Sequence, residues 1–318
     1  MIRPFAANTA RLLGAALAVL AIAVPARAQL IINPTYAANI NSDPNATTIK
    51  NTIQTAINEY AARFSDNITV NITFQEKTTG LGSSSTALVE LAYTDYRSAL
   101  VSQATTANDV TALASLPIQA NSPADGQPNM WIATANARAL GFNVVPPSDS
   151  TISLNTSIMN FTRPPGNLTK FDLKAVAQHE IDEALGFGSG LNLPTGFPRE
   201  SRPQDLFRYT APHARSYTTS GSATSYFSID DGVTLQLSFN QNGSADYGDW
   251  LSSATPHVQD AFGTAGATPD LNVELTNLDV IGYTLVTPVP EPSTLLLVAG
   301  ALASGFRRFR RPRSMIRV

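Results

Sequence analysis

The run AVAQHEIDEALGFGSG, residues 175–190, constrains this chain more than any other stretch. Apolar residues recur at helical spacing and the run stops at glycines, which predicts a helix over about Phe171 to Leu185. Asp172 is placed to cap it or to complement its dipole. Residues four apart on a helix share one face. His179 and Glu183 therefore aim at one point, and Glu180 lies about 100° further round the axis. A catalytic zinc takes three protein ligands from imidazole nitrogen and carboxylate oxygen and keeps one position for water. A neighbouring glutamate can then take the proton of that water. The spacing is that of the His-Glu-x-x-His helix with Glu183 in the second histidine position. His179 and Glu183 are thus candidate metal ligands and Glu180 the candidate general base. The extra negative charge predicts a weaker Lewis acid than two imidazoles would leave.

Both ends of the 318 residues read as addressing segments. Arg3 and Arg11, the apolar run Leu12 to Val24 and the small residues Ala26-Arg27-Ala28 predict a signal peptide over 1–28, cut before Gln29. The other end carries Pro290-Glu291-Pro292, an apolar run from Leu295 to Phe306 and five arginines between Arg307 and Arg313. That tail resembles the PEP-CTERM sorting signal of Gram-negative bacteria. The resemblance implies recognition by an exosortase and delivery from the periplasm to the cell surface or exopolysaccharide matrix. Physically, the run predicts a transmembrane helix with its arginines inside, thin for a full span and so a transient anchor. The expected organisation is a signal peptide at 1–28, one domain at 29–287 and a sorting segment at 288–318.

The chain has no cysteine, which excludes disulfides, thiolate metal sites and a cysteine nucleophile. Only 14% of residues are charged, the net charge is −3, and much of the positive charge sits at the ends. No basic patch points to nucleic acid. Membrane contact is confined to the terminal segments.

Ile49, Ile53, Ile57, Tyr60 and Phe64 have helical spacing, with Thr47 or Thr48 as the cap. Ile68, Val70, Ile72 and Phe74 alternate as a half-buried strand. GLGSSS, Gly80 to Ser85, reads as a flexible loop. Thr86 to Leu116 reads as helical with a break near Thr105. A strand entering a helix or turn is expected at NMWIATANARALGF, and another strand through Ile152, Leu154, Thr156 and Ile158. SYFSIDDGVTLQLSF predicts a hairpin about Asp231-Gly232. The closing VELTNLDVIGY predicts a short helix with Leu275, Leu278 and Ile281 inward.

His-Glu-x-x-Glu-x-x-Gly-x-x-Ser, from His179 to Ser189, resembles the metzincin pattern, with Gly186 at the turn. The region after the signal also resembles a family of exported bacterial metallopeptidase-like proteins with PEP-CTERM tails. The resemblance runs through Asp205-Leu206-Phe207-Arg208-Tyr209, Tyr226-Phe227-Ser228-Ile229-Asp230, Gly248-Asp249-Trp250 and Leu278-Asp279-Val280-Ile281-Gly282-Tyr283. It implies an α+β, zincin/metzincin-like domain with a mixed sheet packed on a central active-site helix. Two positions depart from the pattern: Ser189 stands at the third ligand, and no methionine follows the helix before Met315. The third ligand must come from elsewhere. Asp205 is the first choice, since its segment matches the family, and His213 and His257 are the other candidates. Tyr217 and Tyr226 could polarise a carbonyl or simply pack. Calcium is a second cofactor expectation, on Asp230-Asp231-Gly232 or on Asp246 and Asp249, although a hairpin turn also explains the first.

Three functions follow from this reading. One is an exported zinc metallopeptidase acting on proteins or peptides. The second is an inactive descendant of the same fold that binds at the surface or in the matrix. The third, a metal-free hydrolase using Glu180 and Glu183 as an acid/base pair, is disfavoured because groups three apart on one helix cannot flank a substrate.

Overall fold

The computed structural model describes residues 29–193 and 198–286. The chain is a mixed α+β fold. It opens with β1 (Ile31–Tyr36), α1 (Ala38–Ser42), α2 (Ala46–Arg63) and β2 (Thr69–Glu76). Then come β3 (Gly82–Thr86), β4 (Leu88–Ala92), α3 (Tyr93–Gln103), α4 (Ala107–Ser115), β5 (Asn129–Ala133) and α5 (Thr134–Ala139). The next elements are β6 (Ser150–Leu154), β7 (Met159–Asn160), β8 (Phe171–Asp172) and α6 (Leu173–Leu185). Short strands β9 (Arg208–Ala211), β10 (Ala214–Arg215), β11 (Tyr226–Phe227) and β12 (Leu237–Ser238) precede α7 (Val273–Val280).

The principal sheet has the order β1-β2-β6-β3. The first three strands are parallel, and β3 is antiparallel to β6, with Ser84 opposite Ile152. In β2 the side chains of Val70, Ile72 and Phe74 are buried, as period-two alternation requires. In α2, Ile49, Ile53, Ala56, Ile57 and Tyr60 form the buried stripe. The helix carrying His179, α6, packs against α2 and against β3 and β6 of the sheet, with most of its residues buried. Each fully buried Ile or Phe in this layer contributes about 2 kcal/mol, which makes α6 a rigid mount.

Asp172 caps α6, accepting from the backbone N–H of Ala175 at 3.1 Å. The helix ends at Gly186, φ 123°, a conformation that favours glycine. The closing segment packs beneath that end. The Tyr283 hydroxyl donates to Leu185 O at 2.7 Å, and Asn136 Nδ2 donates to Ile281 O at 2.9 Å. Leu275, Leu278 and Ile281 are buried, as their spacing predicts.

Several expectations are corrected. Gly82 to Thr86 is the edge strand β3 and not a flexible loop, because β6 supplies a full ladder of partners. Leu88 to Ala92 is strand β4, paired antiparallel with β5, and the helix begins only at Tyr93. The hairpin is present as β11 and β12, but each strand is two residues long. The transmembrane helix is not supported: no helix among the described residues is long and apolar enough to cross a membrane. The signal peptide and the sorting segment, on which that expectation rested, lie outside the described residues.

Candidate metal centre

His179 sits on α6 with its ring fixed from behind. Its Nδ1 lies 3.1 Å from the carbonyl oxygen of Val258. A carbonyl only accepts, so Nδ1 carries the proton and Nε2 presents its lone pair. Nε2 lies 3.8 Å from Glu183 Oε1 and 3.8 Å from Asp249 Oδ2. The second oxygen of Glu183 is occupied by the Ser84 hydroxyl of β3, which donates to Oε2 at 2.5 Å. One ligating atom from each of His179, Glu183 and Asp249 lies within 4.8 Å of the others.

Asp249 is held by a network anchored on a buried tryptophan. Trp250 is fully buried and packs on Phe187, just past the end of α6, with ring centroids 5.1 Å apart. Its Nε1 donates to Glu274 Oε1 at 3.1 Å, and its backbone N–H donates to Gln259 O at 2.9 Å. Gln259 in turn donates through Nε2 to Asp249 Oδ1 at 3.0 Å. One oxygen of Asp249 is thereby fixed and the other faces His179. The loop also runs very close to the turn after α6. A Cβ added at Gly248 would lie 2.6 Å from Gly188 Cα, so only glycine permits the approach.

Glu180 points under β3. A Cβ at Gly82 would lie 2.1 Å from Glu180 Oε1, so this approach too requires a glycine. Its Oε2 is buried without a hydrogen-bond partner. Glu180 lines, with His179, Glu183 and Asp249, a cavity of about 580 Å³. A second cavity of about 490 Å³ shares Ser84, Glu183, Asp246 and Asp249 with it. The three-residue cluster thus lies where two hollows along β3 meet.

Electrostatically the site is dominated by carboxylates, with Lys77 and Arg202 offsetting only part of their repulsion. Burial pushes the Asp249 carboxyl up to about 8; the His179 ring opposes the rise, and the Glu183 and Asp246 carboxylates add to it. Burial and the Glu183 carboxylate push Glu180 well up. Burial disfavours the His179 imidazolium, yet Asp249, Glu183 and the Val258 carbonyl outweigh it and the ring is raised. Carboxylates gathered around one imidazole are what a divalent ion would neutralise. The donor set of one nitrogen and two oxygens suits zinc. Two bonds of about 2.05 Å at a tetrahedral angle place their donors roughly 3.3 Å apart. The observed 3.8 Å separations need only a small closure.

The structure brings His179, Glu180 and Glu183 together and places the other sequence candidates elsewhere. Asp205 does not join the cluster. It accepts from Ser189 Oγ at 2.6 Å, Gly190 N at 2.8 Å and Arg202 N at 2.8 Å, which makes it a brace for the turn after α6. Ser189, the last residue of the His179–Ser189 pattern, is spent on that brace. His213 is exposed and lies 2.6 Å from Asp231 through Nδ1. His257 lines the larger cavity but is not in the three-residue cluster. The Tyr226 hydroxyl donates to Gly232 O at 2.6 Å and the Tyr217 hydroxyl is buried beside Gly190, so both sit in packing positions. Asp230 accepts from Ser228 Oγ and from the N–H and hydroxyl of Thr234, which accounts for it as a turn residue without calcium. Sequence reasoning missed Asp249 as a zinc ligand. Its one signal was the acidic pair Asp246 and Asp249 beside Trp250, read there for calcium.

Comparison with protein families matches residues 288–311 to the PEP-CTERM protein-sorting motif. The motif supports export and sorting to the cell surface, and it points to an exosortase-type sorting machinery as a partner. No curated protein and no solved structure matches the chain.

Proposed function

We propose that the protein is an exported zinc metallopeptidase, with zinc held by His179, Glu183 and Asp249 and with Glu180 as general base. The observation that carries this reading is the convergence of three ligating atoms within 4.8 Å, on a His-Glu-x-x-Glu helix, where two cavities meet. Bound zinc supplies a polarised water and a Lewis acid for a carbonyl. Ser84 and Gln259 orient the two carboxylate ligands, and Val258 fixes the imidazole tautomer. Glu180, on the same side of the helix as the cavity, takes the proton from the attacking water and passes it to the leaving amine. Strand β3 is the edge of its sheet, so an extended peptide can pair along it and cross the cluster. A parallel sheet with one antiparallel edge strand above the helix agrees with a zincin-like fold. The sorting motif supports export and surface sorting; on this reading the enzyme acts in the periplasm and at the surface of a Gram-negative cell, on proteins of that surface or its matrix.

One observation favours a second reading, a zinc-bearing surface protein without turnover: two carboxylates in the ligand set weaken the metal as an acid. The Glu180→Gln variant separates the two. Zinc content should stay unchanged, and hydrolysis of a denatured protein substrate should fall by roughly 100-fold or more. Unchanged hydrolysis in that variant removes Glu180 from the mechanism. Absence of zinc-dependent hydrolysis in the wild type supports the second reading.

A further inference from the structure

Arg202 is a half-buried charge that the proposed chemistry leaves unused. It precedes a short 3₁₀ turn, Pro203–Phe207, and its backbone N–H is bound to Asp205. Its Nε and Nη2 are buried and have no hydrogen-bond partner among the described residues. The guanidinium lies against the turn after α6, where a Cβ at Gly188 would stand 2.5 Å from Nη1 and 3.1 Å from Cζ. Glycine at 188, φ 133°, therefore makes the room that the guanidinium occupies. Arg202 lines the 490 Å³ cavity together with Glu183, Asp246 and Asp249, yet no ion pair within 4 Å joins it to any of them among the described residues. Glu183, Asp205 and Asp246 act on the guanidinium only through space, and buried donors without an acceptor cost stability unless a ligand supplies one. The planar fork of the guanidinium matches a carboxylate bidentately, better than any neutral group.

We propose that Arg202 is a specificity residue that receives a carboxylate of the peptide substrate in the cavity beside the metal cluster. Two sources share that chemistry: the free C-terminus of a short peptide, and an acidic side chain near the cleaved bond. The proposal rests on the peptidase reading of the neighbouring cluster. Ser84, on β3, lines both cavities, so a peptide paired along this edge strand would lie over the cluster and reach Arg202 without leaving the groove.

The test uses the full-length protein carrying Glu180→Gln, loaded with zinc, and pools of randomised hexapeptides read by affinity selection and mass spectrometry. One pair of pools differs in a free or amidated C-terminus; the other differs in Glu or Gln at the inner positions. Retention should favour one carboxylate pool by roughly tenfold or more over its neutral counterpart, and the pair that discriminates identifies the source. Arg202→Met should abolish the preference while zinc content holds and the thermal midpoint stays level or rises. Arg202→Lys, which keeps the charge and loses the fork, should restore only part of it. Equal retention of carboxylate and neutral pools, retention of none, or an undiminished preference in Arg202→Met overturns the proposal. So does a large drop in thermal midpoint in Arg202→Met with no preference in the parent, which would make Arg202 structural. Zinc content, measured on the same samples, reports separately on the metal reading: a carboxylate preference without zinc would leave the Arg202 site standing and the peptidase reading overturned.

Discussion

Two buried aspartates flank the turn after α6, and they have opposite fates. Asp205 is 1% exposed and Asp249 is 4% exposed, so burial does not distinguish them. Their hydrogen bonds do. Both oxygens of Asp205 are consumed, by the Ser189 hydroxyl and two backbone N–H groups. Asp249 has one oxygen fixed by Gln259, and the other faces His179 Nε2 at 3.8 Å. A carboxylate with both oxygens committed to hydrogen bonds within one turn is a brace. A carboxylate oriented on one side and open on the other is a ligand. The lesson is that metal candidacy follows from what remains unspent on a side chain.

The largest expected effect that tests this contrast on the Asp205 side is on stability. Asp205→Ala strands the N–H groups of Gly190 and Arg202 in a buried turn and should cost about 3 kcal/mol in urea unfolding. Zinc binding per folded chain should be retained. A variant that folds with wild-type stability but loses zinc would reverse the two roles.

A smaller effect is the pH dependence of stability in the metal-free protein. Burial raises Asp249 from 3.8 to about 8, and Asp66, Asp260 and Asp279 from 3.8 to about 6. A carboxyl raised on folding binds its proton more tightly in the folded chain. Its contribution to stability is therefore full below about pH 4 and lost as pH rises through the folded value. The thermal midpoint of the metal-free protein should fall steeply between about pH 4 and 6, then more gently up to about pH 8, and level off above it. Added zinc should remove the gentler fall, because the ion replaces the proton on Asp249. A midpoint independent of pH between 4 and 9, with and without zinc, would contradict the assignment of an open carboxylate at 249.

How much was legible in the sequence follows the range of the interactions. The stripe of α2, the alternation of β2, the capped helix α6 and the closing helix α7 are set by local periodicity, and all four stand where that periodicity puts them. His179, Glu180 and Glu183 were legible for the same reason, since one helix holds all three. Strand β3 was not, because Gly82-Ser83-Ser84-Ser85 has loop composition and becomes a strand only through its pairing with β6. Strand β4 was absorbed into the helix that follows it, because Leu88 to Ala92 continues the helical composition and only β5 pairing makes it extended. Asp249 was illegible as a ligand because it comes from a distant loop, placed by Trp250, Glu274 and Gln259 acting together. Asp205 lies in a segment that resembles a family, and such a resemblance marks a structural brace as readily as a ligand.

The central claim is that Asp249, and not Asp205, completes the metal site with His179 and Glu183. Elemental mass spectrometry of the wild type and of Asp249→Ala, purified without chelator and incubated with zinc, tests it most directly. The account predicts about one zinc per chain in the wild type and a loss of nearly all of it in Asp249→Ala, with the metal-free variant still unfolding in a cooperative thermal transition. Zinc retained by Asp249→Ala, or no zinc in the wild type, would contradict it.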